Sequence, residues 1–143
     1  MTHYRTTVPS SLDREALCAY MADFSHAERW DPSVAKAEQS SDGPIGLGAR
    51  FSLVVGFLGR RLSLEYAVTQ FQPPSLVQVS ASNAAFFSID TMTFDTRDGG
   101  SVLAYDAELR LRGAYRLFGP LLNLGFRRVG DRAREGLVRE LNP

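Results

Sequence analysis

The chain has 143 residues, 44% apolar and 22% charged, enough to close one hydrophobic core without staples and too few for two separately cored domains. Sixteen basic residues balance sixteen acidic ones, so no bulk field favours nucleic acid, an anionic membrane or a cationic partner. One cysteine, Cys18, and two histidines, His3 and His26, cannot make an internal disulfide or a four-ligand zinc site, so neither metal nor cofactor is expected.

The opening MTHYRTTVPSS lacks the basic start, apolar run and small-residue cleavage site of a secretory signal. No stretch reaches about 18 uninterrupted apolar residues. The expectation is a cytoplasmic protein without stable membrane insertion. Residues 3–8 alternate and are rich in Thr and Tyr, which predicts a short first strand stopped by Pro9, with Ser10 or Ser11 as the cap of the next element. Leu12, Ala16, Leu17, Tyr20, Met21 and Phe24 recur at three- and four-residue steps, one face of an amphipathic helix of about three turns. Residues 25–32 are mostly polar apart from Trp30, and Pro32 bars Asp31 from helical geometry, predicting a short helical turn that ends extended.

The period then changes to two. Residues 34–39 read as a strand and the glycine cluster at 42–48 as a turn. Phe51, Leu53, Val55 and Phe57 form one apolar face, Gly59 and Arg60 turn the chain, and Leu62, Leu64, Tyr66 and Val68 repeat the alternation until Pro73 and Pro74. Val77, Val79 and Ala81 mark another strand. Residues 86–95 fit either phase; Phe86, Asp90, Met92 and Phe94 are assigned inward because Thr91 and Thr93 suit a solvent face. After the hairpin turn at Asp98, Gly99 and Gly100, Leu103, Tyr105, Ala107, Leu109 and Leu111 make the cleanest alternation in the chain. The last element, from about residue 115 to 141, carries Phe118, Leu121, Leu122, Phe126, Val129, Ala133, Leu137 and Leu141 at helical spacing. Pro120 either bends this helix or starts its regular part, and a bend is expected. The result is an α+β domain spanning residues 1–143. About seven antiparallel strands leave one sheet face to cover, and only the C-terminal helix is long enough to do so.

In that order, the segments "VPSSLDREALCAYMADFSHAERWDPSV", "DGPIGLGARF", "EYAVTQFQPPSLV", "DTMTFDTRDGGSVLAYDAEL" and "LFGPLLNLGFRRVGDRAREGLVREL" resemble the Bet v 1-like or START-like helix-grip superfamily. Within it they resemble the bacterial polyketide cyclase/dehydrase and lipid transport group. The resemblance covers nearly the whole chain. It implies a helix-grip fold: a curved antiparallel sheet wrapped around a long C-terminal helix, one or two short helices after the first strand, and an elongated apolar cavity between sheet and helix. Space is expected near the Pro120 end.

Candidate ligand-binding residues are Trp30, Phe51, Leu53, Tyr66 and Asp90, with Met92, Tyr105, Leu122, Phe126 and Val129; pockets are mostly apolar with a few placed polar groups. Trp30 is either a lid at the cavity mouth or a plug between the short helical turn and the sheet. Asp90 is a desolvated carboxyl suited to acid or base work if it faces inward, and a surface charge if the strand phase is reversed. Tyr66 and Tyr105 either aim hydroxyls into the cavity or keep their tips in water. Asp23, His26 and Glu28 lie in a polar turn beside no nucleophile, and Cys18 has no adjacent cation to activate it. The glycines at 43, 46 and 48 match no phosphate-binding motif.

The zero net charge hides a split. Residues 1–109 hold eight basic and thirteen acidic residues, a net of −5, and residues 110–143 hold eight and three, a net of +5. Arg110, Arg112, Arg116, Arg127, Arg128, Arg132 and Arg139 form either an anion-attracting stripe or a solvated face paired with Asp131, Glu135 and Glu140. Aromatic interleaving for stacked bases is missing, so no nucleic-acid partner is expected. An acidic sheet against a basic helix would also help the two to dock. The first expectation for function is a monomer or homodimer that binds a hydrophobic or amphipathic small molecule such as a lipid, isoprenoid or polyketide. The alternatives are a cyclase/aromatase-type enzyme using Asp90 with Tyr66 or Tyr105, and an interaction module acting through the arginines.

Overall fold

The structure is a computed structural model that describes residues 2–57 and 59–143. Strand β1 (Thr2–Ser10) is followed by helix α1 (Arg14–Ala22), a 3-10 turn (Phe24–His26) and the one-turn helix α2 (Ala27–Trp30). Strands β2 (Val34–Gln39), β3 (Arg50–Phe57), β4 (Arg60–Gln72), β5 (Leu76–Ser82), β6 (Phe86–Arg97) and β7 (Gly100–Leu111) come next in series. A 3-10 segment (Gly113–Phe118) leads into the long helix α3 (Gly119–Glu140). The seven strands form one antiparallel sheet in the order β1-β7-β6-β5-β4-β3-β2, and α3 closes against its inner face. This is the helix-grip fold that the sequence suggested.

The period-two runs sit where they were expected, with inward residues in the expected phase, including that of β6. Several boundaries differ for local reasons. Pro9 does not stop β1, which pairs with β7 through Pro9↔Val102 and Ser10↔Ser101. β1 is an edge strand, where a residue without an N–H is tolerated. The N-cap of α1 is Asp13, whose carboxylate accepts from the Ala16 N–H at 2.7 Å. Ser10 instead donates its hydroxyl to the Leu141 carbonyl at 2.8 Å, fastening the end of the chain to β1. Pro120 lies in the first turn of α3, where a missing N–H breaks no helical bond, and the residues before it wind as a 3-10 segment.

Helix α3 runs alongside β1 and is pinned to it in several places. Asn123 is hydrogen-bonded to Thr2, Asp131 accepts from the Tyr4 hydroxyl at 2.8 Å, and Arg134 donates to Thr6 at 2.9 Å. Two glycines set how closely it lies. A Cβ on Gly130 would sit 2.5 Å from the Tyr4 ring, and one on Gly136 would sit 1.9 Å from the Trp30 carbonyl oxygen. The close backbone contacts of α3 are with β1 and α2. Its N-terminal half therefore stands away from the middle strands. No ion pair joins α3 to the sheet among the described residues.

Candidate functional site

The inner face of the sheet divides along a line that crosses β3, β4, β6 and β7. On one side Phe51, Val68, Met92 and Leu103 are fully buried, packed with Leu17 and Met21 of α1 into a solid core. Two residues further along the same strands, Leu53, Tyr66, Asp90 and Tyr105 line a cavity of about 530 Å³, within the usual range for a small-molecule pocket. From there it runs past Leu64, Ser88 and Ala107 to an opening where Arg60, Asn83, Tyr115 and Phe118 are both cavity-lining and exposed. The space follows from the helix geometry, because α1 fills only the end of the sheet near the β4–β5 and β6–β7 turns.

Eight of the ten predicted pocket residues line this cavity: Trp30, Leu53, Tyr66, Asp90, Tyr105, Leu122, Phe126 and Val129. Phe51 and Met92 do not. Each points inward but lies one inward position beyond the dividing line, at 0% exposure, where α1 and Phe24 fill the space; the Phe24 and Phe51 rings meet edge-on with centroids 6.4 Å apart. On α3, Leu121 departs from the buried stripe and faces outward. Trp30 is a plug rather than a lid. It is 3% exposed, and its ring meets Tyr105 edge-on at 5.7 Å and Phe24 at 6.2 Å.

A polar cluster sits at the deep end of the cavity, against the solid core. The Tyr105 hydroxyl donates to the Asp90 carboxylate, and the Tyr66 hydroxyl and Ser88 share a 3.4 Å hydrogen bond. Burial pushes the Asp90 carboxyl up to about 7, with the negative charges of Asp31 and Asp106 adding to the rise and the Tyr105 hydrogen bond opposing it. The surface Asp90 retains faces the cavity. Burial and the neighbouring Asp90 charge raise both tyrosines, so they stay protonated donors at neutral pH. Near pH 7 the cluster thus offers one carboxyl poised between acid and base beside two phenols.

Two contributors escaped the sequence reading. Ser88 shares the inward phase of Asp90 two positions away, so its place follows as soon as the phase is fixed. Asp31 also lines the cavity. Its carboxylate accepts from the Ser33 N–H at 2.9 Å and hydroxyl at 2.7 Å, while burial raises its pKa. The Asp-Pro-Ser triplet marks this side-chain turn, but nothing local says that the turn faces a cavity.

The other candidates fall outside the site. His26 stacks on Tyr20 with centroids 4.3 Å apart and lies 3.5 Å from Asp23, and Glu28 is exposed. Cys18 is buried in the core, and burial raises its thiol, which suits packing rather than nucleophilic work. Among the described residues no cluster of three or more His, Cys, Asp or Glu is arranged to hold a metal, and no helix is long and apolar enough to cross a membrane. Arg127, Arg128, Arg132 and Arg139 are exposed, and the expected pairing with Asp131, Glu135 and Glu140 does not form among the described residues.

A family model described as polyketide cyclase / dehydrase and lipid transport matches residues 1–142. Among solved structures, a START superfamily protein from Mycobacterium smegmatis superposes with a TM-score of 0.80 at 13% identity, covering 99% of this chain and 97% of its own. The Zhui aromatase/cyclase from Streptomyces sp. R1128 gives 0.79 at 14% identity, covering 97% and 92%. A major latex-like protein from Panax ginseng gives 0.70 at 7%, covering 99% and 97%. At these identities the likeness is one of fold. No curated protein sequence matches the chain.

Proposed function

This chain belongs to the polyketide cyclase/dehydrase and lipid transport family, and from that premise we propose that it binds a hydrophobic or amphipathic small molecule, of lipid, isoprenoid or polyketide type, in the cavity between sheet and α3. The observation that carries the reading is a cavity of about 530 Å³ with apolar walls and one polar cluster at its deep end. An apolar body placed there loses water contact at roughly 25 cal/mol per Å². A ketone, hydroxyl or carboxyl at its leading end would meet the Tyr66, Ser88, Asp90 and Tyr105 groups. Trp30, Leu53, Leu122, Phe126 and Val129 would hold the body. The single buried thiol suits a cytoplasmic setting.

Organic extraction of the purified native protein followed by mass spectrometry tests this reading, together with titration by the fluorophore anilinonaphthalene sulfonate. A co-purifying apolar molecule, or saturable fluorophore uptake abolished by Ala107→Trp within the cavity, is expected. An empty extract combined with no saturable uptake overturns it.

One observation favours a second reading, a cyclase-type enzyme: the Asp90 carboxyl, poised near pH 7 and joined to Tyr105, stands inside the cavity. Ionised Asp90 would take a proton from a methylene flanked by two carbonyls. The resulting carbanion would form a carbon–carbon bond at a third, distant carbonyl, whose oxygen takes the Tyr105 proton while Asp90 returns the abstracted proton to Tyr105 along their hydrogen bond; the new hydroxyl then leaves with the remaining α-proton as water. Positioning in the cavity would supply much of the rate. Asp90→Asn should abolish turnover of a poly-β-ketone mimic while retaining fluorophore uptake, and unchanged turnover removes Asp90 from the chemistry.

A further inference from the structure

Among the described residues, five of the seven exposed large apolar side chains gather on one short stretch beside the cavity opening, with only Leu47 and Val138 elsewhere. Leu117 is 84% exposed, Leu124 65% and Leu121 58%. Leu121 and Leu124, three residues apart, share the outward face of α3, and Leu117 precedes them by four residues in the 3-10 segment. None of the three lines the cavity. Tyr115 and Phe118, at 50% and 59% exposure, do line it, so the patch runs without a break into the cavity mouth. A face of this kind on an α-helix is ordinarily buried against something.

Its charge is equally one-sided. Between Glu108 and Asp131 the chain contains no acidic residue, and it contains Arg110, Arg112, Arg116, Arg127 and Arg128. Arg110 pairs with Glu108 at 2.6 Å. The other four form no ion pair among the described residues. Arg128 continues the stripe one turn beyond Leu124, Arg116 and Arg127 lie beside it in sequence, and Arg112 lies over the Phe87 ring at 5.9 Å from its centroid. The whole-chain charge of zero conceals this, because the acidic residues lie elsewhere.

We infer that the outward face of residues 115–128 docks the protein, cavity mouth first, onto an anionic lipid bilayer. Leucines and aromatic rings would enter the boundary between headgroups and acyl chains, and the guanidinium groups would sit at the phosphates, as amphipathic interfacial segments do. A second copy of the chain fits the face less well, since a two-fold contact sets the same arginines against themselves. No helix crosses the bilayer among the described residues, so the attachment is peripheral and reversible. This surface does not depend on which molecule the cavity takes. If the cavity binds a lipid-like molecule, as proposed above, docking would place its opening against the phase in which that molecule is stored.

Co-sedimentation with vesicles tests the inference, using phosphatidylcholine alone and phosphatidylcholine mixed with phosphatidylglycerol. Binding to the mixed vesicles should exceed that to neutral ones by at least about tenfold and fall with added salt. Arg127→Gln with Arg128→Gln should weaken it roughly 25-fold, about fivefold for each charge lost. Leu121→Gln with Leu124→Gln should weaken it about tenfold or more. Both pairs lie outside the cavity, so uptake of anilinonaphthalene sulfonate from solution should not change, which separates failure of docking from failure of ligand binding. If circular dichroism shows a double variant misfolded, the single Leu124→Gln change replaces it. Equal binding to both vesicle types, or binding insensitive to both variant pairs, overturns the inference. So does an absence of vesicle binding, whether the chain stays monomeric, self-associates through these leucines, or captures an acidic protein instead.

Discussion

The two ends of the inner sheet face carry the same alternating apolar pattern and meet different fates. At the end near the β4–β5 and β6–β7 turns, Phe94, Met92, Val77, Val79 and Leu103 are sealed beneath α1. Arg14 of α1 ties this end down by donating to Ser75 at 2.9 Å. At the other end Leu62, Phe86, Ala107 and Leu111 face a cavity, because α3 is held at β1 and α2 and spans the middle strands without touching them closely. Alternation tells which face of a strand is turned from water. It does not tell whether that face meets a packed side chain or an enclosed space.

Truncation should therefore be far more costly at the solid end. Phe94→Ala should lose about 3–5 kcal/mol in chemical denaturation, the usual cost of emptying a packed aromatic site. Phe86→Ala, at the hollow end, should lose about 1 kcal/mol or less while weakening fluorophore uptake. Equal losses would erase the distinction.

The line between the two ends is marked by Asp90, and pH probes it. In the folded chain this carboxyl titrates at about 7, against about 4 for an ordinary aspartate. Between those values the folded state keeps a proton that the unfolded state has released, so stability falls as pH rises from about 4 to 7. Asp90→Asn has no such loss. Its stability relative to the native chain should rise across that window by on the order of 3 kcal/mol, as read from denaturation midpoints at each pH. A constant difference would mean that Asp90 is not desolvated.

Next in size is Gly136→Ala. With the Trp30 carbonyl 1.9 Å from the new Cβ, α3 must lift from α2, and a loss of about 1–3 kcal/mol is expected. Because the same contact fixes the height of α3 over the cavity, fluorophore uptake should change with it. The smallest effect on stability belongs to Ala107→Trp, which fills space instead of creating it. A change within about 1 kcal/mol with uptake reduced at least tenfold would sharpen the contrast, whereas a large destabilisation would show that the space is already packed.

Much of the architecture was legible without coordinates. The runs at 51–57, 62–68 and 103–111 alternate so regularly that only one face can be buried, and the spacing of Leu122, Phe126, Val129 and Ala133 admits only a helix lying over that face. The phase of β6 was harder, because its central residues are polar or apolar on both sides. Thr91 and Thr93 tipped it correctly, and Ser88 then falls into place. What eluded the sequence was contact between distant segments. Phe51 and Leu53 are two positions apart and equally apolar, yet one is core and the other lines the cavity. Leu121 and Leu122 are neighbours with the same side chain, and one is exposed while the other is buried.

The sequence by itself determined the element order, the inward face of each strand and the family, because these depend on local periodicity and on segments read in chain order. Where the packed core stops and the cavity begins was decided by the tertiary structure, since the short α1 covers one end only and the two close glycine contacts set the line of α3. The charge arithmetic shows the same division. The +5 of residues 110–143 was plain in the sequence, but only the fold revealed that Arg116, Arg127 and Arg128 form no ion pair among the described residues and lie beside an exposed leucine face at the cavity mouth.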